Sequence, residues 1–69
     1  MEIGAFVRGE RLRLGMTQAV LAERIEMTSQ SVSNLERGVS APSIATLRKL
    51  ARVFGRSLDE LAGEDKTAA

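Results

Sequence analysis

Neither cysteine nor histidine occurs in this chain. Without cysteine no disulfide can tie the fold, and without either residue there is no donor set for a structural zinc site. The lack of cysteine also fits a reducing cytoplasm. Long apolar runs are missing too: the longest, Ala19 to Ala22, is far too short to span a membrane. Residues 1–15 carry Glu2, Arg8, Glu10, Arg11 and Arg13, which interrupt any apolar signal-peptide core. Catalytic equipment is equally scarce. There is no glycine-rich phosphate loop and no carboxylate cluster in apolar surroundings, and 69 residues leave little room for a cofactor pocket. The expectation is therefore a protein that is not an enzyme, with no cofactor, no metal and no small-molecule ligand.

Proline occurs once, and no repeat, low-complexity segment or linker interrupts the chain. One domain is expected, near the lower size limit for folding on a single hydrophobic core. Helix packing has to stabilise it, aided by self-association. The net charge is only +1 but it is unevenly spread. Residues 1–56 hold eight arginines and Lys49 against five glutamates, a net of +4. Residues 57–69 hold Asp59, Glu60, Glu64 and Asp65 against Lys66, a net of −3. Such a split suits a basic nucleic-acid face and an acidic end pointing elsewhere, and equally suits ordinary solubilising charge.

The most informative stretch is Thr17 to Gly38, TQAVLAERIEMTSQSVSNLERG. Thr17 is an N-cap residue, whose hydroxyl accepts from an otherwise orphaned helix N–H. Behind it Leu21, Ala22 and Ile25 recur on one helical face. Thr28 caps a second run, in which Val32 and Leu35 share a face and Ser29, Gln30, Ser33 and Asn34 occupy the others. Gly38 closes it. Two short helices joined by a brief turn at Glu26 and Met27 have the dimensions of a helix-turn-helix. A polar, uncharged outer face on the second is the chemistry needed to read base edges. Gln30 can offer donor and acceptor together to the N6 and N7 of adenine, and Asn34 can do so where its backbone comes close enough. Solvated helix faces favour Lys and Glu, and this face has neither.

This stretch resembles the phage-repressor and Cro type of helix-turn-helix, the Xre family. The likeness rests on Gly15, Thr17 and Gln18, Leu21 and Ala22, the run from Thr28 to Leu35, Glu36-Arg37-Gly38, and Pro42-Ser43. It continues through Leu47, Leu50, Ala51, Phe54 and Gly55 to the segment Leu58 to Leu61, so that it covers roughly residues 3–62. The resemblance implies an all-α, compact five-helix bundle of the lambda-repressor-like DNA-binding type. It places the DNA-binding domain at residues 1–62, the motif at 17–38 and a flexible tail at 63–69.

Residue roles follow from the same likeness. Ser29, Gln30, Ser33 and Asn34 would touch bases, while Gln18, Thr28, Ser31, Arg37 and Ser40 would hold phosphates. Gln18 could instead complete the helix cap. Arg11 and Glu36 would form a partly buried ion pair; the alternative is a surface arginine free in water. The family commonly has glycine where this chain has Glu26, because the backbone there takes a positive φ, which costs a glutamate roughly 1 kcal/mol. Between Gly38 and Pro42 the family often carries basic residues, but here Val39, Ser40 and Ala41 stand, which predicts a shallower salt dependence.

Beyond the motif, the first helix is expected from Glu2 to Leu14, with Ile3, Phe6, Val7 and Leu14 on its apolar face. Gly4 and Gly9 weaken it, and Gly4 allows another helix to approach closely. Val20 is expected on the outer face of its helix. The fourth helix, Ile44 to Phe54, should bury Ile44, Leu47, Leu50, Ala51 and Phe54 and expose Arg48, Lys49 and Arg52. Ser57 to Glu60 reads as a capping box that opens a short last helix, ended by Gly63. With the DNA face occupied, the resemblance assigns dimerisation to Arg56, Leu58, Asp59 and Leu61. The function it implies is a sequence-specific transcriptional regulator, a repressor that binds a pseudo-palindromic operator as a homodimer. Its partners would be double-stranded DNA and a second copy, not a membrane. Its place would be a bacterial or phage-infected cytoplasm, on the nucleoid when bound. The competing function is an antitoxin-like or other partner-binding module whose DNA contact is secondary.

Overall fold

The computed structural model describes residues 3–64, with side chains described to Leu61. Five helices follow in order: α1 (Ile3–Arg13), α2 (Gln18–Arg24), α3 (Ser29–Glu36), α4 (Ile44–Phe54) and α5 (Leu58–Glu64), with no strand among the described residues. Each start after α1 is capped as the side-chain chemistry demands. Thr17, Thr28 and Ser43 accept from the N–H groups of Val20, Ser31 and Thr46, each at 3.1 Å. At α5 the cap is reciprocal: Ser57 Oγ accepts from Glu60 N at 3.2 Å, and Ser57 N donates to Glu60 Oε1 at 2.9 Å.

Helix α2 packs chiefly on α3, and α1 lies across α3, while α5 folds back on α4 and α1. The buried core runs through all five helices: Val7 from α1, Leu21 and Ala22 from α2, Val32 and Leu35 from α3, Leu47 and Leu50 from α4, and Leu61 from α5. Gly4 lets α1 come onto the end of α3. A Cβ built there would stand 2.5 Å from the Leu35 carbonyl oxygen and 2.8 Å from that of Glu36.

The turn between α2 and α3 does place Glu26 at φ 60, the one non-glycine residue with positive φ among those described. Its carboxylate reaches Lys49 Nζ at 3.0 Å, a surface contact. Several expectations need correction. Leu14 lies past the end of α1, where the chain turns at Gly15, and is 42 % exposed; Met16 fills the core there. Ile44 is the first residue of α4, ahead of the packed turns, and is 57 % exposed. Val20 is half-buried against the core instead of facing outward. Helix α5 also continues through Gly63 to Glu64. The rest of the expected tail, residues 65–69, lies outside the described residues, as does Glu2 at the expected start of α1.

Candidate nucleic-acid interface

Helix α3 is anchored by Val32 and Leu35, 1 % and 3 % exposed, which turns the opposite side outward. On that side Ser29 and Gln30 are exposed, and Ser31, Ser33 and Asn34 are half-buried. The face is neutral and rich in hydrogen-bonding groups. Its side chains are tied together along the helix. Thr28 Oγ1 donates to Ser31 Oγ at 3.0 Å. Asn34 Oδ1 accepts from Gln30 Nε2 at 3.1 Å and from Arg37 Nη2 at 2.8 Å. The Asn34 main-chain oxygen accepts from Val39 N at 2.9 Å and Ser40 N at 3.4 Å, which folds the following loop against the helix end. Arg37 and Ser40 are exposed beside it.

Behind the face sits a charged seat. Arg11 Nε donates to Glu36 Oε2 at 2.7 Å and Nη2 to Oε1 at 3.1 Å, the bidentate fork that suits a guanidinium. Nη1 of Arg11 donates to the Met16 carbonyl at 2.9 Å. The two side chains are only 9 % and 3 % exposed. The hydrogen bond to Glu36 raises the pKa of Arg11 above its ordinary value, against an opposing effect of burial. Gln18 joins this seat: its Nε2 donates to Glu36 Oε1 at 3.1 Å, while Thr17 alone caps α2. One carboxylate therefore links α1, α2 and α3, and its charge is spent inward, leaving the outer face of α3 neutral up to Arg37.

A second charged group, Glu10, lies on α1 at 7 % exposure. It holds Arg13 Nη2 at 2.9 Å and Arg56 Nη2 at 3.2 Å. Arg56 also reaches Glu60 at 3.4 Å and lies 5.8 Å above the Phe6 ring. Hydrogen bonding to Arg13 lowers the Glu10 pKa, burial opposes this, and Arg56 adds to the lowering. Sequence reasoning passed over Glu10. The signal was its place three residues after Val7, on the apolar side of α1. The same geometry corrects the expected dimer surface. Leu61 is fully enclosed because α5 folds back onto α1 and α4, so it belongs to the core and not to an interface. Arg56 is engaged within its own chain. Leu58 remains half-buried and Asp59 exposed.

A family model described as helix-turn-helix matches residues 7–61. The chain belongs to the Xre-type helix-turn-helix family. Its relatives there are transcriptional regulators, not enzymes. It is 42 % identical over 50 residues to an uncharacterized HTH-type transcriptional regulator of Methanothermobacter thermautotrophicus, covering 72 % of each chain. It is 32 % identical over 68 residues to the HTH-type transcriptional regulator ImmR of Bacillus subtilis, covering 99 % of this chain and 54 % of ImmR. To the competence pilus inhibition repressor of Acinetobacter baylyi it is 39 % identical over 61 residues, 88 % of this chain and 56 % of that protein. The chain thus spans about half the length of the latter two. Among solved structures, the P22 c2 repressor in complex with a synthetic operator superposes with a TM-score of 0.83 at 26 % identity, over 88 % of this chain and 92 % of that one. The all-α, five-helix architecture is that of the lambda-repressor-like DNA-binding domain. No group of residues among those described could hold a metal ion, and no described helix is long and apolar enough to cross a membrane.

Proposed function

We propose that the protein is a sequence-specific transcriptional repressor that binds a pseudo-palindromic operator as a homodimer. The observation that carries this is the outer face of α3: neutral, hydrogen-bonding, flanked by Arg37, and fixed from behind by the Arg11–Glu36–Gln18 seat. Gln30 and Ser29 lead this face, with Ser33 and Asn34 one turn further on. Thr28, Ser31, Ser40 and Arg37, with the start of α2 at Gln18, would hold the flanking phosphates and so set the register of α3 in the major groove.

One such module spans too few base pairs to be selective among genomic competitors. Two modules about a two-fold axis read half-sites one helical turn apart. The partner surface we assign is α5 around Leu58 and Asp59, on the acidic end of the chain. A repressing role is supported by the P22 c2 repressor, whose structure is a complex with operator DNA, and by the competence pilus inhibition repressor. Such a protein works in the cytoplasm on the nucleoid. Selection of bound sites from a random DNA pool tests the reading. Enrichment of a two-fold-related site is expected; recovery of unselected DNA would overturn it.

A further inference from the structure

We propose that Asn34 contributes to DNA recognition through its side-chain oxygen, as a positioning residue that sets which way the Gln30 amide points. This rests on the assignment of α3 as the base-reading helix. A guanidinium has only donors, so the Asn34 atom that faces Arg37 Nη2 at 2.8 Å is its oxygen. That oxygen in turn requires a donor from Gln30, whose Nε2 lies 3.1 Å away. The residues stand three and four positions apart, the spacing at which side chains meet on one helix face. The fixed charge of Arg37 is thereby converted into a fixed order of donor and acceptor on Gln30.

Two consequences separate Asn34 from Gln30. A carbonyl oxygen has two lone pairs, and both are taken at Asn34. It therefore has no free acceptor for the two-point recognition of adenine. Gln30 keeps its Oε1 and a second N–H on Nε2, one acceptor and one donor on an exposed side chain. Half a rotation of that amide would exchange the two in space and set Oε1 against Asn34 Oδ1, acceptor against acceptor. The relay thus opposes the flipped amide and selects one base-edge pattern. The Asn34 backbone is held separately, by Val39 N and Ser40 N on its main-chain oxygen, so a change of side chain leaves the loop in place.

The test is selection from a random DNA pool by the parent, Gln30→Ala, Asn34→Ala, Asn34→Asp and the Gln30→Ala/Asn34→Ala double variant, each at a temperature where its helical circular dichroism equals the parent's. Asn34→Ala should relax preference at the base pair that Gln30→Ala relaxes, by roughly tenfold, the scale of a good two-point contact. The double variant should be no looser there than Gln30→Ala alone. Asn34→Asp, which keeps the oxygen, should retain the preference while weakening all sequences alike through its added negative charge. If Asn34→Ala relaxes a different base pair, Asn34 is itself a reader and the relay is overturned. Unchanged selection by Asn34→Ala, with relaxed selection by Gln30→Ala, overturns the relay alone. Unchanged selection by Gln30→Ala overturns the assigned reading face and the relay with it.

Discussion

Removing the Glu36 carboxylate should come close to unfolding the protein. In Glu36→Ala the Arg11 guanidinium, 9 % exposed, would keep only the Met16 carbonyl at 2.9 Å, and Gln18 Nε2 would lose its acceptor. Breaking a buried pair by deleting one partner costs about 3–5 kcal/mol, because the other charge is left without compensation. Domains of this size have a total stability of only ~0.05–0.15 kcal/mol per residue, so the loss is a large share of the whole. At about 4–8 °C per kcal/mol for such a domain, the melting midpoint should fall by at least ~12 °C. The exposed pair Lys49–Glu26, 38 % and 78 % exposed, is the internal control: Lys49→Gln should cost under about 1 kcal/mol. Thermal melts followed by circular dichroism, repeated in high salt, provide the assay. The Glu36→Ala deficit should persist in salt, since a buried pair is little screened. A Glu36→Ala variant that melts within a few degrees of the parent would refute the reasoning. It would show that the Arg11 fork contributes no more than a surface ion pair.

Gly4→Ala should lower stability by about 1–3 kcal/mol, because its Cβ would meet two backbone oxygens of α3; a higher melting point, from helix propensity alone, would contradict the close approach. Glu10 has a folded-state pKa below its ordinary 4.5, so its contribution is complete above that value and is lost as pH falls through the folded-state pKa. Urea titrations at pH 6 and pH 3 should therefore show a smaller loss of stability on acidification for Glu10→Gln than for the parent. Leu58→Asp should abolish the dimer in sedimentation while keeping helicity, and should weaken specific more than non-specific DNA binding. Leu61→Asp, placing a charge in the core, should unfold the chain instead; two variants that behave alike would contradict the assignment of α5.

What could be read from the sequence was local chemistry and helical period. Thr17, Thr28, Ser43 and Ser57 announce helix starts by their hydroxyls, and Leu21, Ala22, Val32, Leu35, Leu47 and Leu50 mark buried faces by spacing, so the helices and their order were legible. The φ of Glu26 was legible only through the family's usual glycine. Less legible was whatever depends on residues far apart in the chain. Glu10 is stabilised in its buried position by Arg56, 46 residues later, and no local pattern couples them. Gln18 reads as a phosphate contact or a cap, and nothing local shows that its Nε2 also donates to Glu36, 18 residues later. Leu14 and Ile44 fit their helical faces by period, but each sits at a helix end, where the packed neighbours run out. Leu61 falls on the dimer surface by the resemblance, yet the fold brings α1 and α4 around it.

The central claim, that α3 reads base edges through Gln30 in the major groove, is tested most directly on a selected duplex in which each purine in turn is replaced by its 7-deaza analogue. This removes the N7 acceptor and leaves base pairing intact. The parent should lose roughly tenfold in affinity at one symmetry-related pair of purines, the scale of a two-point base contact. Gln30→Ala should be insensitive at those positions. Equal sensitivity in both proteins, or no sensitive purine at all, would contradict the account.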